Sequence, residues 1–534
     1  MIPISDITAL RPRRLLRSSA RGLALVAALA TLAPTTAWAI DWELQLSLFN
    51  RFGLRRNLVE HQLRFDVPSN AFDVRGYLTP KIDELSYSFV AVAGGYLQLT
   101  KWLGAGLILN SGQMRPFGRS ARFVTLPISA NATGVVGDIY WPSTADDSTF
   151  TANGQRVSAE ARQSYFIDEA FLRFSATGES DEPWLRIEVG RRAARIANGL
   201  IFNDYGLAID GTLDLELKDI APLRFGAQLV FPSRNFERGY RSPLVELRVN
   251  WVLSFLESVG LLFAYFRDGE DNFSDLYQGW VTELAQGRFT QMSAQDHIDE
   301  FAAALSAFPR SVGQIFWFGV RGNKLLGDFL LSGTALLSFG KIELFDMELL
   351  SRQLRLTEIE LTTLGFAVDL SARYLITDEL SIGLWFLMLS GEANPLLAGQ
   401  TPGNRYGSFI SVVPYLTHTN IFFSGGLNET FNGRSSSSSG INARGVIASG
   451  LRATWDPKDF ELSFNAAALL SDQPSIGRSR FYGVEFDMQA RYEVTKWLNL
   501  AAEYDVLLPG DFFLEHRVIH QALIGIDFKV GYEG

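Results

Sequence analysis

The side chains in this chain that could make or break bonds are few and poorly spaced for it. There are five histidines, His61, His297, His418, His516 and His520, and no cysteine. Without thiols there are no disulfides, no thiolate metal sites and no cysteine nucleophile. His516 and His520 have the i, i+4 spacing that binds zinc from one face of a helix. They lie in alternating sequence, however, and along a strand that spacing separates them by ~13 Å at ~3.3 Å per residue, too far to share an ion. No serine stands in a nucleophile-elbow setting with a positioned base, as a hydrolase would need. The sequence therefore reads as a non-enzyme with no cofactor and no metal. What remains is charge, set at alternate positions of apolar stretches, where it can attract or repel a passing solute. The candidates are Glu169, Arg173, Arg186, Glu188, Arg192, Glu216, Arg224, Arg248, Arg373 and Arg491.

Period-2 sequence is what must position them. At the end of the chain Ile524, Ile526, Phe528, Val530 and Tyr532 alternate with Gly525, Asp527, Lys529 and Gly531. The same pattern runs through Leu185–Val189, Leu223–Phe231, Val245–Trp251, Phe366–Tyr374, Phe460–Ala468 and Tyr482–Ala490, with the charged candidates on the opposite face. A soluble sandwich cannot sustain this over so long a chain without a second apolar layer. A closed barrel can, because lipid covers one face of every strand. The fold class is all-β: a transmembrane antiparallel β-barrel of about 18 strands, with 16 to 20 compatible with the pattern. Leu99-Thr100-Lys101-Trp102-Leu103 is repeated as Val494-Thr495-Lys496-Trp497-Leu498 and, more loosely, as Ile376-Thr377-Asp378-Glu379-Leu380. These read as tight turns, either as a dedicated motif or as generic hairpins, with Trp102, Trp497, Tyr374 and Tyr492 at a lipid–water boundary. Longer connections are expected at about 111–162, 268–312, 340–361, 391–405, 428–441 and 471–479. Alternating short and long links are the mark of short periplasmic turns and long external loops, with both termini periplasmic.

Residues 1–39 read as a signal peptide. Arg11, Arg13, Arg14, Arg17 and Arg21 form its basic region, Leu23 to Ala33 its apolar core and Ala37-Trp38-Ala39 its cleavage site. The apolar run is far short of the ~20 residues needed to span. Residues 40–534 then form the barrel, with no room ahead of it for a plug domain. The formal charge is −10, and the signal carries five Arg against one Asp, so the remainder is near −14. Such an acidic chain excludes nucleic acid as a partner. Aromatic residues make up 13%, enough to furnish interfacial girdles. Within 268–312, Ser293 precedes Asp296, Ile298, Phe301, Ala302 and Leu305, the pattern of a capped helix that either enters the barrel mouth or lies on the surface. Gly433 to Gly440 is low-complexity sequence with five consecutive serines.

The run Ile167-Asp168-Glu169-Ala170-Phe171-Leu172-Arg173-Phe174 is followed by Val189-Gly190-Arg191, Asn203-Asp204-Tyr205-Gly206 and Asp210-Gly211. Together with Leu508-Pro509-Gly510-Asp511-Phe512-Phe513, it resembles the alginate-export type of outer-membrane porin over some fifty residues and a tail. That resemblance implies a single-chain barrel in the outer membrane of a Gram-negative bacterium, passively exporting an exopolysaccharide. Its implied partners are outer-membrane lipid, the barrel assembly machinery, periplasmic polysaccharide-export proteins, and a polysaccharide or small solutes as cargo. The family's arginine-rich lumen is not reproduced, since the inward charges here are of both signs. Two alternatives stay open: a general or solute-selective porin, and a structural or adhesive barrel with a blocked lumen. Arg173, Arg186, Arg192 and Arg224 are expected to form a basic wall.

Overall fold

When alternation runs the length of a chain, backbone groups facing lipid can be satisfied only if the sheet closes on itself. The computed structural model describes residues 42–58, 82–110, short strand pieces between 114 and 158, and 167–177, 183–215, 222–232, 242–268 (except 255), 312–350, 353–393, 405–412, 416–423, 444–474, 479–512 and 516–533. Eighteen long strands follow one another: β1 (Trp42–Leu58), β2 (Ile82–Thr100), β3 (Leu103–Asn110), β4 (Ile167–Thr177), β5 (Pro183–Ile196), β6 (Phe202–Leu215), β7 (Leu223–Pro232), β8 (Leu244–Val252), β9 (Ser258–Asp268), β10 (Val312–Leu326), β11 (Phe329–Leu350), β12 (Gln353–Leu375), β13 (Leu380–Leu389), β14 (Val446–Trp455), β15 (Phe460–Leu470), β16 (Phe481–Thr495), β17 (Leu498–Pro509) and β18 (Ile519–Glu533). Each pairs antiparallel with the next. β18 returns to β1 over the register Glu43↔Glu533 to Arg56↔His520, which closes the barrel. Two short pieces, Met114–Phe117 and Arg405–Tyr406, join the same sheet against β2 and β12.

The outer face is the apolar one. In β18, Ile524 is 56% exposed while its neighbours Leu523 and Gly525 are buried. Leu247, Phe318, Leu364, Leu384 and Met488 are exposed in the same way on their own strands. On the inside, Arg51 pairs with Asp527 across the closing seam. The short turns share a mechanism that explains the repeated motif. Thr100 Oγ1 accepts from the backbone N–H of Trp102 and Leu103 (3.3 and 3.0 Å), and Thr377 Oγ1 from Glu379 and Leu380 (3.2 and 3.0 Å). Thr495 Oγ1 does the same for Trp497 at 3.4 Å. A threonine hydroxyl thus satisfies donors that the ladder leaves free at the turn. The flanking tryptophans stack outward on the neighbouring strand, Trp102 on Phe174 and Trp497 on Phe528.

An even-stranded closed barrel with an apolar outer belt and aromatics at its turn end is the build of a bacterial outer-membrane protein. The chain resides in the outer membrane of a Gram-negative bacterium.

The expected connections differ from the structure at two places in the chain. The stretch 340–361 is a paired hairpin, with β11 and β12 in continuous register up to Leu350↔Gln353. Lys341 pairs with Glu360 across it, and Ile342 and Leu361 are buried. The expected loops 391–405 and 428–441 belong to a single link between β13 and β14, and part of that link enters the barrel. The signal peptide, His61, Glu216, the 293–305 helix, His297 and the Gly433–Gly440 stretch lie outside the described residues.

Candidate functional site

On β4 to β10, alternation places charges of both signs on the face opposite the apolar belt, and they pair from strand to strand. Arg173 Nε donates to Glu188 Oε1 at 2.6 Å, and Glu188 also pairs with Arg192. Arg192 reaches Asp210 at 3.4 Å, and Arg248 reaches the same carboxylate at 3.5 Å. Arg248 Nη1 then donates to Glu246 Oε2 at 2.8 Å, and Arg321 donates twice to Asn250 Oδ1, at 3.0 and 2.8 Å. Arg248 lies across Gly226, where a Cβ would stand 2.3 Å from its Nε. The guanidinium of Arg173 sits over the Tyr96 ring at 4.4 Å and the Phe171 ring at 5.6 Å, a cation–π arrangement on both. Glu169 accepts the Ala193 N–H at 3.2 Å.

The other expected site residues are scattered. Arg224 forms a separate exposed pair with Asp214, at 2.6 and 2.9 Å. Arg186 is exposed, in register between Ser175 and Thr212. Arg373 Nε donates to Ser381 Oγ at 2.8 Å, and Arg491 is exposed in register with Glu461. Of the four arginines expected to form a basic wall, Arg173 and Arg192 share the Glu188 carboxylate while Arg224 pairs with Asp214. His516 and His520 take different partners: His516 lies 3.9 Å from Asp511, and His520 Nδ1 is 2.9 Å from the Tyr504 hydroxyl.

The feature that strand reading missed is a bar of chain across the interior. Residues 405–412 and 416–423, from the link between β13 and β14, touch several walls at once. Trp317 Nε1 of β10 donates to the Ile410 carbonyl at 2.9 Å. The bare Gly365 of β12 lets Phe409 come so close that a Cβ would meet its Cα at 2.6 Å. On the next side, the Val412 N–H donates to the Ile201 carbonyl (2.9 Å) and Ser411 Oγ to the Leu200 carbonyl (2.7 Å). Those two carbonyls belong to the link between β5 and β6, which itself reaches inward. Its Asn198 Nδ2 donates to Thr334 Oγ1 of β11 at 3.1 Å. Ala197 and Asn198 hold positive φ of 52° and 55° to make that turn, a costly backbone state for alanine.

The far end of the bar rests on carboxylates. Glu485 of β16 accepts from the backbone N–H groups of Ile421 and Phe422 (3.0 Å to the latter) and from Thr419 Oγ1 at 2.8 Å. Asn420 Nδ2 donates to Asp505 of β17 at 2.8 Å, and His418 Nε2 lies 3.1 Å from Asp369 of β12. Asn465 and Arg452 both donate to the His418 carbonyl, at 3.0 and 3.3 Å. Backbone donors carried into a barrel have no ladder partner, and buried ones must find another acceptor. The bar packs against apolar inner-face residues that include Leu262, Phe266, Ile315, Leu387 and Leu507, so the half of the interior towards the long links has a hydrophobic core. One signal in the sequence pointed here. Glu485, Asp487, Glu503 and Asp505 crowd two consecutive strands, with Asp487 directly opposite Asp505, and like charges so placed need donors from elsewhere.

No family model matches the chain and no curated protein does, so neither comparison carries the alginate-export resemblance. Among solved structures, the chain is similar to Pseudomonas aeruginosa OccK11 (OpdR), at 11% identity over 92% of this chain and 96% of that one, TM-score 0.42. It is similar also to Acinetobacter baumannii OccAB3, at 11% identity over 92% and 100%, TM-score 0.43. A third is the outer-membrane protein OprD from Pseudomonas aeruginosa, at 8% identity over 92% and 94%, TM-score 0.43. The architecture stated above rests on the strand pairing of this chain itself.

Proposed function

We propose that this protein is a passive, solute-selective porin. The observation that carries the reading is the bar. An 18-strand barrel is wide enough to leave an aqueous lumen. Here the half of that lumen towards the long links is crossed by residues 405–412 and 416–423 and met by the inward turn at 197–201. A conduit for a polysaccharide needs a wide, continuous path, whereas a crossed lumen suits small molecules passing a narrow point. Export of an exopolysaccharide, the role implied by the sequence resemblance, therefore gives way to its alternative. The charged row on β4 to β10 offers a passing solute weak, repeated sites, and conduction requires leaving as readily as entering. Arg173, Arg192 and Arg248 are the residues this reading assigns to selectivity, with Glu169 and Glu188 moderating their field.

Reconstitution into liposomes with a graded series of neutral saccharides tests it. Swelling should be fast with monosaccharides and fall away with chain length. Equal permeation by long oligosaccharides would restore the export role, and no swelling with any solute would favour a barrel with a blocked lumen.

A further inference from the structure

The carboxylate of Glu485 is fully buried on the inner face of β16 and accepts three hydrogen bonds from a segment more than sixty residues away in sequence. Its surroundings are of its own sign. Asp487 is two residues along the same strand, and Glu503 and Asp505 lie on β17, all buried. Polar side chains from neighbouring strands answer the others: Asn465 Nδ2 donates to Asp487 Oδ2 at 2.8 Å, and Gln521 Nε2 to Asp505 Oδ2 at 3.0 Å. Among the described residues, the donors to Glu485 come from the bar alone. Position and charge are thus mutually dependent. The bar needs acceptors for the Ile421 and Phe422 N–H groups, and a buried carboxylate among carboxylates needs donors.

We propose that Glu485 is the positioning residue of the constriction: it fixes residues 419–422 against β16 and so sets the width and steadiness of the opening. This rests on the porin reading given above. The rest of the bar is held independently, by Trp317 at Ile410, by Gly365 at Phe409 and by the Leu200 and Ile201 carbonyls. His418 and Asn420 keep their own holds on Asp369, Asn465, Arg452 and Asp505, so loss of the Glu485 contacts loosens the 419–422 backbone alone, which then shifts between these supports. Glu485→Gln keeps the volume and one acceptor, but it turns an NH2 group towards donors. Losing an accepted hydrogen bond at this buried site should raise the population of the loosened state by about tenfold.

Single-channel recording of the full-length protein reads this directly. Glu485→Gln should show larger mean conductance and flicker between two levels, where the natural protein shows one. Thr419→Val removes one donor from the bar's side, so it should act in the same direction and more weakly; it also serves if the Glu485 variant does not assemble. Glu485→Gln should have no further effect in a variant lacking residues 405–423. A folded Glu485→Gln barrel with unchanged conductance and noise would overturn the proposal. So would a change of equal size in the deleted background, which would mean a field effect in the lumen instead of positioning. Absence of current from the natural protein and from the deletion alike would instead sink the porin reading on which the proposal stands.

Discussion

Two walls of this barrel carry the same kind of sequence and use it differently. On β4 to β8 the inner-face charges answer one another: Arg173, Glu188, Arg192, Asp210, Arg248 and Glu246 form an alternating row across neighbouring strands. On β16 and β17 the buried charges are all acidic, and Glu485 and Asp505 bond instead to a segment that comes from the link between β13 and β14. The first wall is complete within its own sheet. The second is complete only when the bar is in place. Alternation decides which face a residue takes, but its partner decides what it does there.

Substitutions can break this contrast from either side. The largest effect should come from Arg248→Ala, which strips the almost fully buried Glu246 of its nearest cation. Removing one partner of a buried pair costs about 3–5 kcal/mol, so a marked fall in the denaturant midpoint of the folded barrel in lipid vesicles is expected. A midpoint close to the natural protein's would mean that the row is not a unit. Next is Ile526→Arg on the lipid face of β18, expected to cost about 2–4 kcal/mol near the membrane midplane in the same assay. Gly525, the residue before Ile526, faces away from lipid and is buried. The structure makes it crowded, because a Cβ there would sit 3.0 Å from Arg51 Nη1 and a new arginine would meet a like charge.

Smaller effects sharpen the contrast. Replacing Arg173 and Arg192 with glutamine should shift the reversal potential in a salt gradient towards cations, since it leaves Glu188 uncompensated and Asp210 with Arg248 alone. An unmoved reversal potential would remove this wall from selectivity. Arg224→Gln should do least. Its pair with Asp214 is exposed, and such pairs are worth about 0–1 kcal/mol, so the denaturant midpoint should hardly move.

The pattern of the chain made the barrel legible almost whole. The strand count, the outward faces of β18 and the threonine turns all follow from local rules, the period of two and hydroxyl capping, which need no knowledge of distant residues. The hairpin at 340–361 was hidden because strands that leave the membrane lose the reason for one apolar face, and Lys341, Glu343 and Glu360 then look like loop. The bar was hidden for a different reason. Ser408, Phe409, Ile410, Ser411 and Val412 alternate too weakly to stand out from strand, and what holds them lies on β10, β12 and the link between β5 and β6. Likewise, Glu485 and Asp487 were readable as inward residues, while the identity of their donors was not. The site residues on the first wall were easier to place, because Arg173 and Glu188 face each other directly in register.

If a bar of chain narrows an otherwise open barrel, removing it must widen the path. Single-channel conductance in planar bilayers, compared between the natural protein and a variant lacking residues 405–423, tests it most directly. Small, uniform steps are expected from the natural protein and steps several-fold larger from the deletion, which removes the obstruction spanning the lumen. Equal conductance from both, with each barrel shown to be folded, would contradict the account.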